Sequence, residues 1–118
     1  MITCFMRYWI TPGKEKEFEE YGRRWTALIT KFGGTHLGYF VPDDAPDLES
    51  ARHFSFPGVG REGEAGVGIC IYSFPDLAAY NEYRRRAAID PEAREAAALF
   101  EEKKCFTRYE RSFVRGAG

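Results

Sequence analysis

Two segments constrain the fold before anything else does. Residues 2–9, "ITCFMRYW", and Val67 to Tyr72, "VGICIY", carry apolar side chains at both odd and even positions. A strand sends successive side chains to opposite faces, so a sheet with one wet face reads apolar, polar, apolar. Here Ile2, Cys4, Met6 and Tyr8 fall on one face, while Thr3, Phe5, Arg7 and Trp9 fall on the other. A sheet built on such strands needs cover on both sides.

The intervening segments supply cover for one side. From Lys14 to Phe32 the apolar positions are Phe18, Tyr21, Trp25, Leu28, Ile29 and Phe32, one stripe of a helix whose opposite face is charged. Acidic residues crowd its first turns, where the helix dipole favours them, and Gly33-Gly34 stops it. Thr35 to Val41 reads as a second strand closed by Pro42. After the third strand, Ser73 and Asp76 have capping-box-like spacing, opening a helix with Leu77, Tyr80, Arg84 and Ala87 on its inner side. Asp90-Pro91 starts a shorter helix, to about Lys104, with Ala93, Ala96, Ala97 and Phe100 on one side. Cys105 to Val114 forms the last strand, and its Thr, Arg and Glu content suits an edge.

The order β-α-β-β-α-β, with an extra short helix before the last strand, predicts an α+β, ferredoxin-like domain over 1–118 with a four-stranded antiparallel sheet. Its helices lie on one face. Phe5, Trp9 and some of Val67, Ile69, Ile71 and Tyr72 then stay wet in a monomer, which predicts a homodimer packed sheet to sheet through Phe5, Trp9 and Tyr72. Residues 43–66 are an irregular insertion or flap, proline-punctuated and acidic at first, glycine-rich later, with "RHFSF" between as a short extra strand or flap.

Composition narrows the function classes. A net charge of -1 opposes nucleic-acid binding, which needs a basic patch. No run approaches the ~18 apolar residues of a membrane span. "MITCFMRYWI" lacks the pattern of a secretory or transit signal. Cys4, Cys70 and Cys105 are far apart with no C-x-x-C, so they read as reduced, buried thiols of a cytoplasmic protein. Gly13-Lys14 at a strand-to-helix corner lacks the phosphate-loop pattern: Tyr8 stands where the first glycine belongs and Glu15 follows the lysine. No cofactor is expected, and no metal, since neither His36 nor His53 has carboxylates at ligand spacing.

What remains is aromatic. Phe, Tyr and Trp make up 16% of the chain, which asks for an aromatic core, pocket or interface. Tyr8, Tyr21, Trp25, Tyr80 and Arg84, joined by His36 and by His53 if the irregular segment folds over the sheet, are candidates to wall a pocket for a flat, anionic small molecule. The alternative for the helical aromatics is plain core packing. His36 and Tyr39 are the candidate proton-transfer groups.

Three stretches taken in order resemble the NIPSNAP family. "RYWITPGKEKEF" (residues 7–18) has a tyrosine four residues before Pro-Gly and then a helix. "FGGTHLGYF" (32–40) has Gly-Gly leading into Leu-Gly-Tyr, and "YSFPDLAAYNEYRRRAAIDPEA" (72–93) has the aromatic strand end, helix and Asp-Pro restart. Met6 stands where the family pattern has arginine, and 43–66 is longer than the family's hairpin. The resemblance implies a dimeric α+β barrel of ferredoxin-like subunits and brings no common reaction. It makes the chain a NIPSNAP-like homodimer of unassigned activity that binds a small aromatic or anionic ligand. An alternative is a small cofactor-independent oxygenase resembling the antibiotic-biosynthesis monooxygenases. A third is an interaction or scaffold protein with no ligand site.

Overall fold

The computed structural model describes residues 1–43 and 54–118. The chain runs as β1 (Ile2–Ile10), α1 (Glu15–Lys31), β2 (Thr35–Phe40), β3 (Val67–Phe74), α2 (Leu77–Ala87), α3 (Pro91–Lys103) and β4 (Phe106–Val114). The sheet order is β2-β3-β1-β4, and each neighbouring pair is antiparallel. This is the expected ferredoxin-like arrangement with its extra helix, α3. The two-sided apolar segments β1 and β3 take the central places. Residues 54–66 form turns rather than a strand; Arg52 and His53, the start of the expected flap strand, lie outside the described residues.

The helix ends are set by local chemistry. α1 closes in a Schellman motif, Gly33 N–H donating to the Thr30 carbonyl at 3.1 Å and Gly34 N–H to the Ile29 carbonyl at 2.9 Å. Asp90 caps α3, its carboxylate accepting from the backbone of Glu92 and Ala93 at 2.9 and 3.0 Å. Lys31 donates to Asp90 and Glu92 at 2.8 and 2.9 Å, tying the end of α1 to the start of α3. The start of α2 differs from the sequence expectation. Ser73 continues β3, and Asp76 is itself the cap, accepting from Ala79 N–H at 2.8 Å. The buried stripe of α2 differs as well: Tyr80 and Tyr83 are buried, whereas Leu77 and Arg84 of the expected inner side are exposed.

The register decides which face each strand residue serves. Cys4 pairs with Tyr72, Met6 with Cys70 and Tyr8 with Gly68, and this set lies under the helices with Phe18, Leu28, Ile29, Phe32 and Phe74. The other set, Phe5, Arg7 and Trp9 with Val67, Ile69 and Ile71, is half-buried on the uncovered face. Tyr72 is therefore corrected as an interface candidate. It faces the helices and is 6% exposed, because it shares the parity of Cys70 and Phe74. Gly68 permits a close approach between layers: a Cβ there would stand 2.8 Å from the Phe18 ring, which is itself fully buried.

β2 carries a bulge. His36 pairs with Tyr72 and Gly38 with Ile71, so Leu37 is the extra residue and Gly38 takes a φ of 127° that favours glycine. The bulge restores parity, placing Tyr39 on the helix face three residues after His36, and the two rings stack at 5.2 Å. His36 Nδ1 accepts the Gly38 N–H at 2.7 Å, which leaves the hydrogen on Nε2, buried without an acceptor. Desolvation lowers the pKa of the ring from 6.5 to about 4.

Two outcomes follow. Gly68→Ala overfills the Phe18 contact and lowers unfolding free energy by ~1–3 kcal/mol, read as a lower urea midpoint at unchanged slope; an unchanged midpoint would mean that Phe18 has room to move. The His36 ring titrates by NMR near pH 4 rather than 6.5. Its folded pKa lies below the unfolded one, so its contribution is full above pH 6.5 and declines as pH falls toward 4, because only the unfolded chain takes up the proton in that window. A midpoint near 6.5 would place the ring in water.

Candidate functional site

The helices do not seal the covered face completely. Between α1, the α2 and α3 helices and the first part of β4 lies a cavity of about 970 Å³. That is at the upper end of the ~300–1,000 Å³ range of ligand clefts. Its floor is sheet: Met6 and Tyr8 from β1, Tyr39 from β2, Tyr72 from β3 and Tyr109 from β4. α1 contributes Tyr21, Trp25 and Ile29, α2 contributes Tyr83 and Arg84, and α3 contributes Phe100 and Glu101. Arg111, two residues along β4 from Tyr109 on the same face, completes the polar part.

The aromatic lining is held by contacts among the rings themselves. Tyr8 meets Phe18 at 5.2 Å, Phe106 at 4.9 Å and Tyr109 at 5.9 Å between centroids. Tyr21 packs edge-on against Phe106 at 5.3 Å and tilts against Trp25 at 6.4 Å. Such pairs add about 0.5–1.5 kcal/mol each beyond their buried area, so the wall is stiff without being full.

The polar groups in this wall are mostly donors. Burial pushes the phenols of Tyr8, Tyr21, Tyr39 and Tyr72 above their usual range and that of Tyr83 up to about 12, so all are protonated near neutral pH. The Trp25 indole N–H is buried without an acceptor. Arg111 donates to Tyr80 Oη at 3.3 Å, and neither it nor Arg84 has a carboxylate partner among the described residues. Glu101 is the carboxylate of the lining, and it is paired with Lys104 at 2.8 Å. Cys70, buried beside Tyr8, has its thiol pushed up to about 11 by desolvation, and Cys4, Cys70 and Cys105 are all free and buried. Among the described residues no group of acidic, histidine or cysteine side chains could hold a metal ion.

Of the residues singled out in the sequence, Tyr8, Tyr21, Trp25, Tyr39 and Arg84 line this cavity. His36 does not; it sits behind the wall, stacked between Tyr39 and Tyr72 at 5.2 and 5.8 Å. Tyr80 is outside the lining as well and reaches it through Arg111. His53 lies outside the described residues. Sequence reading missed Tyr83, Phe100, Tyr109 and Arg111. Tyr109, Arg111 and Phe113 alternate along β4, and that period-two signal was available. Its phase was not, because the pairing with β1 sets it.

No family model and no curated protein matches the chain. Solved structures do. A NIPSNAP domain protein from Burkholderia xenovorans superposes with a TM-score of 0.70 at 17% identity, over 99% of this chain and 95% of that one. A NIPSNAP family protein of unknown function from Agrobacterium tumefaciens gives a TM-score of 0.70 at 15% identity, over 99% and 88%. A Deinococcus radiodurans protein described as an antibiotic biosynthesis monooxygenase is more distant, with a TM-score of 0.57 at 10% identity over 100% and 94%. No helix of the described residues is long and apolar enough to cross a membrane. With β1 and β3 central, the helices on one face and near-complete overlap in both directions, the chain has the ferredoxin-like fold of the solved NIPSNAP-family proteins.

Proposed function

We propose that the chain is a NIPSNAP-like protein of a single domain that works as a homodimer and binds a small, flat, anionic ligand in the cavity under its helices. The observation that carries the ligand reading is the pairing of an aromatic wall with two guanidinium groups, Arg84 and Arg111, that have no carboxylate partner among the described residues. An aromatic ring fills the wall and an acid group neutralises the arginines. The orphaned Trp25 N–H adds a donor that a bound acceptor satisfies. Three free, buried thiols suit a reducing compartment, in keeping with a cytoplasmic protein. The cofactor-independent oxygenase reading needs a group in the cavity that takes a proton. His36 lies behind the wall, Tyr39 is held protonated, and Glu101 is engaged by Lys104, so the geometry favours binding over that chemistry.

The homodimer rests on the uncovered face. Phe5, Trp9, Ile69 and Ile71 form an apolar strip there, and Arg7 and Glu110 stand 3.6 Å apart beside it. The Arg108 guanidinium lies 3.7 Å over the Trp9 ring. A patch holding both charge signs around apolar residues can complement its own copy across a two-fold axis.

Calorimetric titration with 2-naphthoate and with the neutral 2-naphthalenemethanol tests the site. The acid binds about tenfold or more tighter than the alcohol, as expected for a charge-assisted pair, and the Arg84→Gln/Arg111→Gln double variant removes the difference. Equal affinities, or no binding of the acid, would reject the reading. Light scattering at micromolar concentration gives twice the chain mass, and Trp9→Glu gives a single mass; a parent chain that is monomeric there would reject the dimer.

A further inference from the structure

Two phenols on the cavity floor have hydrogen-bonding capacity that the fold leaves unused. Tyr8 on β1 and Tyr39 on β2 are separated by β3, yet their rings come within 5.8 Å. They can meet because the β3 residues paired with them are small, Gly68 opposite Tyr8 and Cys70 opposite Tyr39. Their hydroxyl oxygens lie 3.5 Å apart, long against the ~2.7–2.8 Å of a good O–H···O bond. The other contacts of the Tyr8 hydroxyl are with sulfur, Met6 Sδ at 3.5 Å and Cys70 Sγ at 4.0 Å, and sulfur accepts weakly. Among the described residues no carbonyl or carboxylate takes either proton.

A single acceptor oxygen fits such a pair. Placed ~2.7 Å from each hydroxyl, it closes a triangle on the 3.5 Å base and receives two hydrogen bonds at once. Two converging donors on a buried floor are worth most to an oxygen carrying negative charge. We infer that Tyr8 and Tyr39 form a twin-donor seat for one ligand oxygen, so that the ligand is an aromatic acid bearing a second, electron-rich oxygen, a phenolate or ketone, elsewhere on its ring system. This rests on the proposed cavity ligand and sharpens it: the arginines take the acid and the tyrosines take the ring oxygen. The phenols stay protonated on burial and serve as donors throughout.

The test compares 6-hydroxy-2-naphthoate with 2-naphthoate. The hydroxylated acid binds about tenfold tighter, and its naphthol ionises at lower pH when bound than when free, read from the absorbance of the naphtholate. Tyr39→Phe and Tyr8→Phe each keep the ring in place. Each abolishes the advantage and the ionisation shift, so that the two acids bind with equal affinity, and an unchanged urea midpoint reports that the fold is intact. Equal binding of the two acids to the parent, or an advantage that survives in both phenylalanine variants, overturns the twin-donor seat and leaves the acid site standing. Absence of 2-naphthoate binding to the parent overturns the acid site and the seat with it.

Discussion

The packing of the Tyr8 ring is the contact on which the rest of the structure depends. It is 3% exposed, lies on a central strand and touches rings from α1, β2 and β4. Its partner across β3 is a glycine, and that vacancy admits Phe18 from α1 to the floor of the core. Sheet and helix are thereby held together at one end by aromatic contact. The other end is closed differently, through the Schellman turn after α1 and the Lys31 pairs to Asp90 and Glu92. Between these two closures the layers stay far enough apart to leave a cavity rather than a filled core.

This explains why the cavity is walled by tyrosine more than by leucine. A phenol offers a large, stiff apolar surface and a polar tip. Rings packed edge to face keep their positions without a full complement of neighbours, which branched aliphatic side chains do less well. The outcome is a wall whose polar tips are nearly all donors, with Arg84 and Arg111 among its lining.

Much of the architecture was legible in the sequence. The stripe from Phe18 to Phe32, the Gly33-Gly34 stop and the Asp90-Pro91 restart are local signals, and local signals survive tertiary context well. The two-sided character of residues 2–9 and 67–72 marked the central strands correctly. The cavity was half legible. Tyr8, Tyr21, Trp25 and Arg84 were within reach because helical spacing and strand parity near the start of the chain are unambiguous. Tyr72 was placed on the wrong face because parity within "VGICIY" has no polar residue to fix its phase. Tyr83 was missed because the inner stripe of α2 was drawn through Leu77, Tyr80, Arg84 and Ala87, whereas the helix buries Tyr80 and Tyr83. Arg111 and Tyr109 depended on a register with β1 that no local pattern encodes.

The single-residue bulge in β2 has a consequence for how such a protein can diverge. Leu37 is 69% exposed and has no partner on β3, so it is the one place along β2 where the chain can lose a residue without shifting the pairs beyond it. Losing that one codon would leave His36 opposite Tyr72 and Tyr39 opposite Cys70, so the Tyr39 side chain would stay on the helix face. A one-residue deletion elsewhere in the strand would instead turn the residues beyond it to the opposite face. The bulge is therefore a length buffer: lineages sharing this fold can shorten β2 there by one residue while the wall at Tyr39 keeps its place.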